Sequence, residues 1–283
     1  MIASRVEIRG ADVAQHYDAL DGFYREIWGD HVHHGLWRSG GETLTEAVIQ
    51  LARLVADEAA LVPGHYVCDI GCGYGSTARM LAGERGVNVT AITISPAQHA
   101  LAARQSAGRT NPHFLVGDWL ASDLPAASFD AAIALESSEH MPDKAAFFAE
   151  AHRVLRDGGR LVIGSWLTCE GPSPWQQRWL LEPICRESRM PHLGAESDYR
   201  RFAEGAGFVI RRFQGITREI ARTWPMMVRA FLLHLVRHPA SLRILVNARV
   251  NNRVFALTVA RLCIAFRTGA LRYGVFTLTK AGA

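Results

Sequence analysis

The chain is 283 residues long, 49% apolar and 20% charged, with a formal net charge of +4. That length and apolar content give one large domain, or a domain plus a lid, with a sizeable core. Five scattered cysteines (Cys68, Cys72, Cys169, Cys185, Cys263) form no C-x-x-C pair, no secretory signal opens the chain, and no apolar run nears the ~18 residues of a membrane-spanning helix; a reducing cytoplasm is the expected setting.

In chain order, Val13, Tyr17, Leu20, Phe23, Tyr24 and Ile27 recur near a 3.6 period and predict a helix over 11–28. The stretch from Trp28 to Trp37 then crowds aromatic and imidazole groups. His31, His33 and His34 lack the cysteine or carboxylate partners of a metal site, so no metal is expected there. A second helix, Leu44 to Leu61, stops at Pro63-Gly64. Together these helices predict an N-terminal cap over 1–64.

An apolar run from Tyr66 to Ile70 breaks into Gly71, Gly73 and Gly75, and a helix follows over 76–85. Strand, glycine turn and helix bring backbone N–H groups close to a nucleotide-like ligand, and a purely structural turn can read the same way. Val87 to Ile94 is a second strand, with Ser95 as N-cap and Pro96 at the first position of the next helix. A third strand, Pro112 to Val116, ends at Asp118 and Trp119; a fourth, Phe129 to Leu135, runs into Glu136-Ser-Ser-Glu139-His140; a turn at 157–159 precedes a fifth, Arg160 to Trp166. Such alternation predicts an α/β fold, a doubly wound parallel sheet with its core over 65–168. Ligands of such sheets sit at the carboxyl ends of the strands, and every polar cluster named so far falls on that one rim.

Residues 169–195, with Trp175, Arg178 and Trp179, read as a lid segment. A helix and a strand over 196–216 continue the core. Residues 217–269 read as a helical lid broken at Pro225 and Pro239, and 270–283 as the last strand. Ten of the 31 basic residues, and no acidic one, lie from position 220 onward. That basic tail has three readings: a solvated lid face, interfacial helices that meet an anionic membrane, or a grip on an acidic substrate.

Several stretches now resemble one family. Asp69-Ile-Gly71-Cys-Gly73-Tyr-Gly75 is similar to motif I of the class I S-adenosylmethionine (SAM) methyltransferases. The stretch 90–98 and the sequence Glu136-Ser-Ser-Glu-His-Met-Pro-Asp-Lys144 resemble the small-molecule subgroup that includes γ-tocopherol methyltransferases, as do the segments 28–37 and 266–276. The resemblance implies a Rossmann-like sheet of seven strands with the last antiparallel, and SAM as cofactor. It implies that Asp69, Gly71 and Gly73 bind the methionine end, Thr93, Ser95 and Gln98 lie by the ribose, Asp118 and Trp119 flank adenine, and Glu136 faces the sulfonium. His34 and Trp37 would close over the cofactor, leaving His31 or His33 at the surface.

Methyl transfer is an in-line displacement, so positioning carries much of it, and a base helps when the acceptor loses a proton. His140 is the candidate base, oriented by Glu136 or Glu139; a cofactor-shell role is the other reading. Tyr17 and Trp28 read equally as pocket or core aromatics. The strand-four tip lacks the Asn/Asp-Pro-Pro-aromatic signature of enzymes that methylate base amino groups, so nucleic acid is not an expected partner. The expected function is SAM-dependent methylation of a small, largely apolar metabolite in specialised biosynthesis. The alternative is a non-catalytic SAM-binding or membrane-surface module.

Overall fold

A computed structural model describes residues 1–237 and 252–282. Its centre is a seven-stranded sheet built from β2 (Tyr66–Ile70), β3 (Asn88–Thr93), β4 (His113–Val116), β5 (Phe129–Leu135), β6 (Leu155–Thr168), β8 (Phe208–Gly215) and β9 (Leu271–Lys280), in the spatial order β4-β3-β2-β5-β6-β9-β8. The first five strands of that order pair in parallel; β9 is antiparallel to both neighbours. This is the sheet that the resemblance implies. Strands β2 and β5 are buried almost throughout, as parallel strands covered on both faces must be.

Local chemistry sets the boundaries near the rim, where α3 (Ser76–Arg85) follows the glycine turn. Ser95 caps α4 (Pro96–Gln105) by accepting from Gln98 N, with Pro96 in the first turn as expected. Asp143 caps α5 (Lys144–Val154) in the same way. The turn expected at 157–159 is instead an excursion inside one long strand: Phe129 pairs with Leu155 and Ala131 with Arg160, and Gly158 takes φ +76° to absorb the extra residues.

Only one of the two N-terminal helices caps the rim. Helix α1 (Gly10–Trp28) crosses it, and Asp18 Oδ1 accepts from Ser95 Oγ (2.5 Å) and Ala97 N (3.4 Å). Helix α2 (Leu44–Glu58) packs on the sheet face through Leu51, Ala52, Val55 and Ala56, all buried, so it belongs to the core layer. Its apolar face is wide enough for either role, which is why the sequence did not separate them. A two-residue ribbon of β1 (Ile2–Ala3) on β7 (His192–Leu193) is too short to show alternation.

After β6, α6 (Pro174–Gln176), a π-turn at Gln177–Leu181 and α7 (Glu182–Glu187) form the 169–195 segment; α8 (Glu196–Gly205) leads into β8. Among the described residues the later helices are α9 (Thr217–Ile220), α10 (Thr223–Arg237) and α11 (Asn252–Arg267). Pro225 does not break α10. It lies in its first turn, where a missing N–H costs no intrahelical bond. Pro239, Arg243 and Arg249 lie outside the described residues.

Candidate active site

A cleft open to solvent lies at the carboxyl ends of β2, β3, β4 and β5 under α1. It brings together Gly71, Gly73, Thr93, Gln98, Asp118, Trp119, Glu136 and His140, eight positions from four separate sequence motifs. Val13 and Tyr17 of α1 and Val32 beyond it close the opposite side.

The glycines divide the work. A Cβ on Gly71 would come 2.3 Å from Ser137 Cβ, and one on Gly75 2.4 Å from the Phe114 ring; these two let the turn pack. A Cβ on Gly73 would meet only Gln98 Nε2 at 3.9 Å, so this glycine keeps the cleft itself clear. All three have positive φ. Beneath them Asp69 is buried, its Oδ2 has no hydrogen-bond partner, and burial raises its pKa to about 7. Asp69 is not among the residues that line the cleft, but an orphaned carboxylate oxygen this near the glycine turn would suit a cationic group such as the ammonium of the SAM methionine end. At the tip of β3, Thr93 Oγ1 donates to Gln98 Oε1 (2.9 Å), leaving the amide nitrogen toward Gly73. Asp118 Oδ1 accepts from Leu120 N at 2.9 Å on the exposed rim.

Four expectations change. Ser95 is buried under Asp18 and does not line the cleft. Trp37 is buried away from it, its Nε1 donating to Thr223 Oγ1 (3.1 Å). His33 is buried, not at the surface, and its Nε2 is 3.3 Å from Nδ1 of half-buried His31. Trp119 turns its indole into the core, Nε1 donating to Phe147 O (3.4 Å), although the residue still lines the cleft.

The largest correction concerns Glu136. Its carboxylate accepts from His34 N (2.8 Å), His34 Nδ1 (2.9 Å), Trp166 Nε1 (3.0 Å) and Tyr273 Oη (3.0 Å). Four donors fill a carboxylate's capacity. Burial acts to raise its pKa, but the paired His34 and these donors outweigh it and hold it at about 2. Such a group is a clamp joining four elements and a poor base. His34, called as a cofactor lid, is the clamp's buried partner inside a cage of Trp166, Trp224, Phe266 and Tyr273.

His140 is oriented by neither glutamate. Its Nδ1 faces the Arg189 carbonyl (3.0 Å), which can only accept, so the proton sits on Nδ1. Nε2 is then the basic nitrogen, 3.0 Å from Tyr17 Oη. Burial lowers the His140 pKa, keeping the ring neutral at pH 7. Glu139 is turned away, accepting from Trp166 N (2.6 Å), while Lys144 Nζ donates to the Glu139 and Met141 carbonyls (3.1 and 2.6 Å) and fixes the loop that carries His140. The Arg189 carbonyl had no signal in the sequence, since any residue supplies a carbonyl.

The chain matches the model of the mycolic acid cyclopropane synthetase family over residues 5–272. It is similar to a chloroplastic tocopherol O-methyltransferase of Arabidopsis thaliana, 29% identical across 98% of this chain and 84% of that one. It is also similar to a 2-methyl-6-phytyl-1,4-hydroquinone methyltransferase of Synechocystis, 28% identical across 96% and 88%. Among solved structures, the cyclopropane synthase MmaA2 from Mycobacterium tuberculosis superposes with a TM-score of 0.83, at 25% identity, over 98% of this chain and 100% of that one. An open glycine cradle, an unpartnered acid beneath it and a likeness spanning nearly the whole chain agree: this protein belongs to the mycolic acid cyclopropane synthetase family and is a SAM-dependent methyltransferase of small metabolites.

Proposed function

We propose that the acceptor is a small, largely apolar hydroxyl- or amine-bearing metabolite that enters between α1 and the 136–142 loop and loses its proton to His140 Nε2. The observation that carries this is the neutral imidazole held in one tautomer at the cleft wall, its basic nitrogen facing Tyr17. Asp69, Gly71 and Gly73 hold the methionine end, Thr93 and Gln98 the ribose, and Asp118 with the edge of Trp119 the adenine. Bound SAM supplies an electrophilic methyl group on a sulfonium. The chain's own residues align the acceptor, exclude water beneath α1 and take up the proton; an acceptor hydroxyl that reaches Nε2 takes the place of the Tyr17 hydroxyl. The apolar lining from Val13, Val32, Ile94 and Leu135 supports a greasy acceptor. We read residues 217–269 as a lid, the basic C-terminal helices as a contact with anionic membrane, and the cytoplasm as the setting, which the five free cysteines suit. Among the described residues no helix is long and apolar enough to cross a membrane.

Calorimetry with SAM and with its demethylated product is expected to give saturable heat for both, and Gly71→Arg to abolish it, because its Cβ would already overlap Ser137. Heat that survives in Gly71→Arg would place the cofactor elsewhere.

His140→Ala is expected to leave SAM affinity unchanged and to lower kcat about 10²–10⁴-fold. In the wild type the base must be neutral and its pKa is lowered, so the acid limb of the kcat profile lies below pH 6.5 and disappears in the variant. A loss of SAM affinity in His140→Ala would assign the ring to the cofactor shell instead.

A further inference from the structure

Trp175 and Trp179, one helical turn apart, are 53% and 55% exposed, although large aromatic side chains are seldom left so open. Their segment packs against α11. That helix in turn exposes Leu257 (55%) and Ile264 (44%), seven residues apart and so on one face. Large apolar side chains exposed on two elements that pack together mark a candidate interaction surface.

The charges nearest the two indoles and at the end of α11 are basic. Arg178 lies over the Trp179 ring, 5.2 Å from its centroid, and Arg267 is exposed at the end of α11. The neighbouring acids are already engaged: Glu187 takes Arg261 Nη1 (2.6 and 2.7 Å) and Thr258 Oγ1 (2.5 Å), Glu182 is buried, and Glu170 accepts from Ser197 N and Oγ (2.9 and 2.7 Å). No acidic residue occurs from position 220 to the end. A protein partner would present a pattern of both signs; an apolar face flanked by Arg178 and Arg267 complements a uniformly negative layer with an apolar interior. Tryptophan settles at the headgroup level of such a layer.

We infer that the face made by Trp175, Trp179 and the outer side of α11 is a docking surface for an anionic lipid bilayer, with both indoles at headgroup depth and Arg178 and Arg267 against the lipid phosphates. The inference rests on the membrane contact read above for the C-terminal helices and deepens it. It adds the tryptophan pair of the 169–195 segment, which brings the acceptor cleft to the phase where apolar metabolites accumulate.

The test is co-sedimentation of the full chain with vesicles of phosphatidylcholine, alone or with about a third phosphatidylglycerol. The protein is expected to pellet with the anionic vesicles and to stay in solution with the neutral ones. Trp175→Ser/Trp179→Ser is expected to lower anionic partitioning roughly tenfold or more, and Arg178→Glu/Arg267→Glu to do the same at low salt. Equal pelleting of the tryptophan variant, or no preference for anionic vesicles, overturns the inference. So does light scattering that shows a wild-type dimer made monomeric by Trp175→Ser/Trp179→Ser, which would make this face a subunit contact. Heat of binding to the demethylated cofactor, read on the same samples, stays unchanged and separates this outcome from any failure of the cofactor site.

Discussion

Asp69→Asn is expected to stabilise the ligand-free protein at pH 8 by about 1–3 kcal/mol while weakening SAM binding at least roughly a hundredfold. Asp69 is fully buried, its Oδ2 is unpartnered, and its pKa is raised to about 7 from an ordinary 3.8. The folded protein therefore keeps a proton that the unfolded chain releases near pH 4. Stability from this group is complete below pH 4, declines as pH rises, and is gone above about pH 7. Three units correspond to about 4 kcal/mol at most, and an asparagine amide left without its full set of partners takes back about 1–2 of these. Melting temperatures of both proteins between pH 5 and 8 provide the check. The wild type is expected to weaken across that range more than the variant, and the gap to close at pH 5. Glu139, raised to about 7 chiefly by burial, titrates in the same window in both proteins and so leaves the difference intact. A variant that is less stable at pH 8, or that binds SAM as well as the wild type, would show that the orphaned oxygen is not kept for the cofactor.

The sheet and the cofactor half of the cleft were legible because their signals are local. A strand, three alternate glycines and a helix lie within 20 consecutive residues, and Ser95-Pro96 announces a helix start by itself. The acceptor half was legible only as a list of residue types. Glu136 and His140 stand close in sequence at one strand tip, so both read as chemistry. What separates them is partners that sequence distance hides: Trp166 and Tyr273 on β6 and β9 for Glu136, and the backbone of Arg189 for His140. Trp37 and His34 misled for a related reason. An aromatic-imidazole cluster before a nucleotide-binding sheet looks like a lid, yet here its tryptophan and histidine are drawn inward by Thr223 and Glu136. Helix α2 shows the same limit at the level of packing, since amphipathicity tells that a face is covered and not by what.

Two buried carboxylates beside the cleft are thus opposites: Asp69 has an oxygen without a partner, while Glu136 has as many partners as it can take. Glu136→Gln is accordingly expected to cost about 3–5 kcal/mol of stability, since two buried donors are each left without an acceptor at about 1–3 kcal/mol apiece. The amide nitrogen must point at two of the four donors that the carboxylate now accepts, and His34 Nδ1–H and Tyr273 Oη–H cannot both keep an acceptor. The melting temperature at pH 7 should fall by on the order of 10 °C. Because the native pKa is depressed to about 2, the contribution of Glu136 is complete above its ordinary 4.5 and is lost as pH falls through 2; the gap between wild type and variant should narrow in that acid window. Well below its melting temperature, the variant should still show the acid limb that belongs to His140. Were Glu136 the base, the glutamine variant would melt like the wild type and lose its turnover instead, and that pair of results would move the proton transfer from His140 to Glu136.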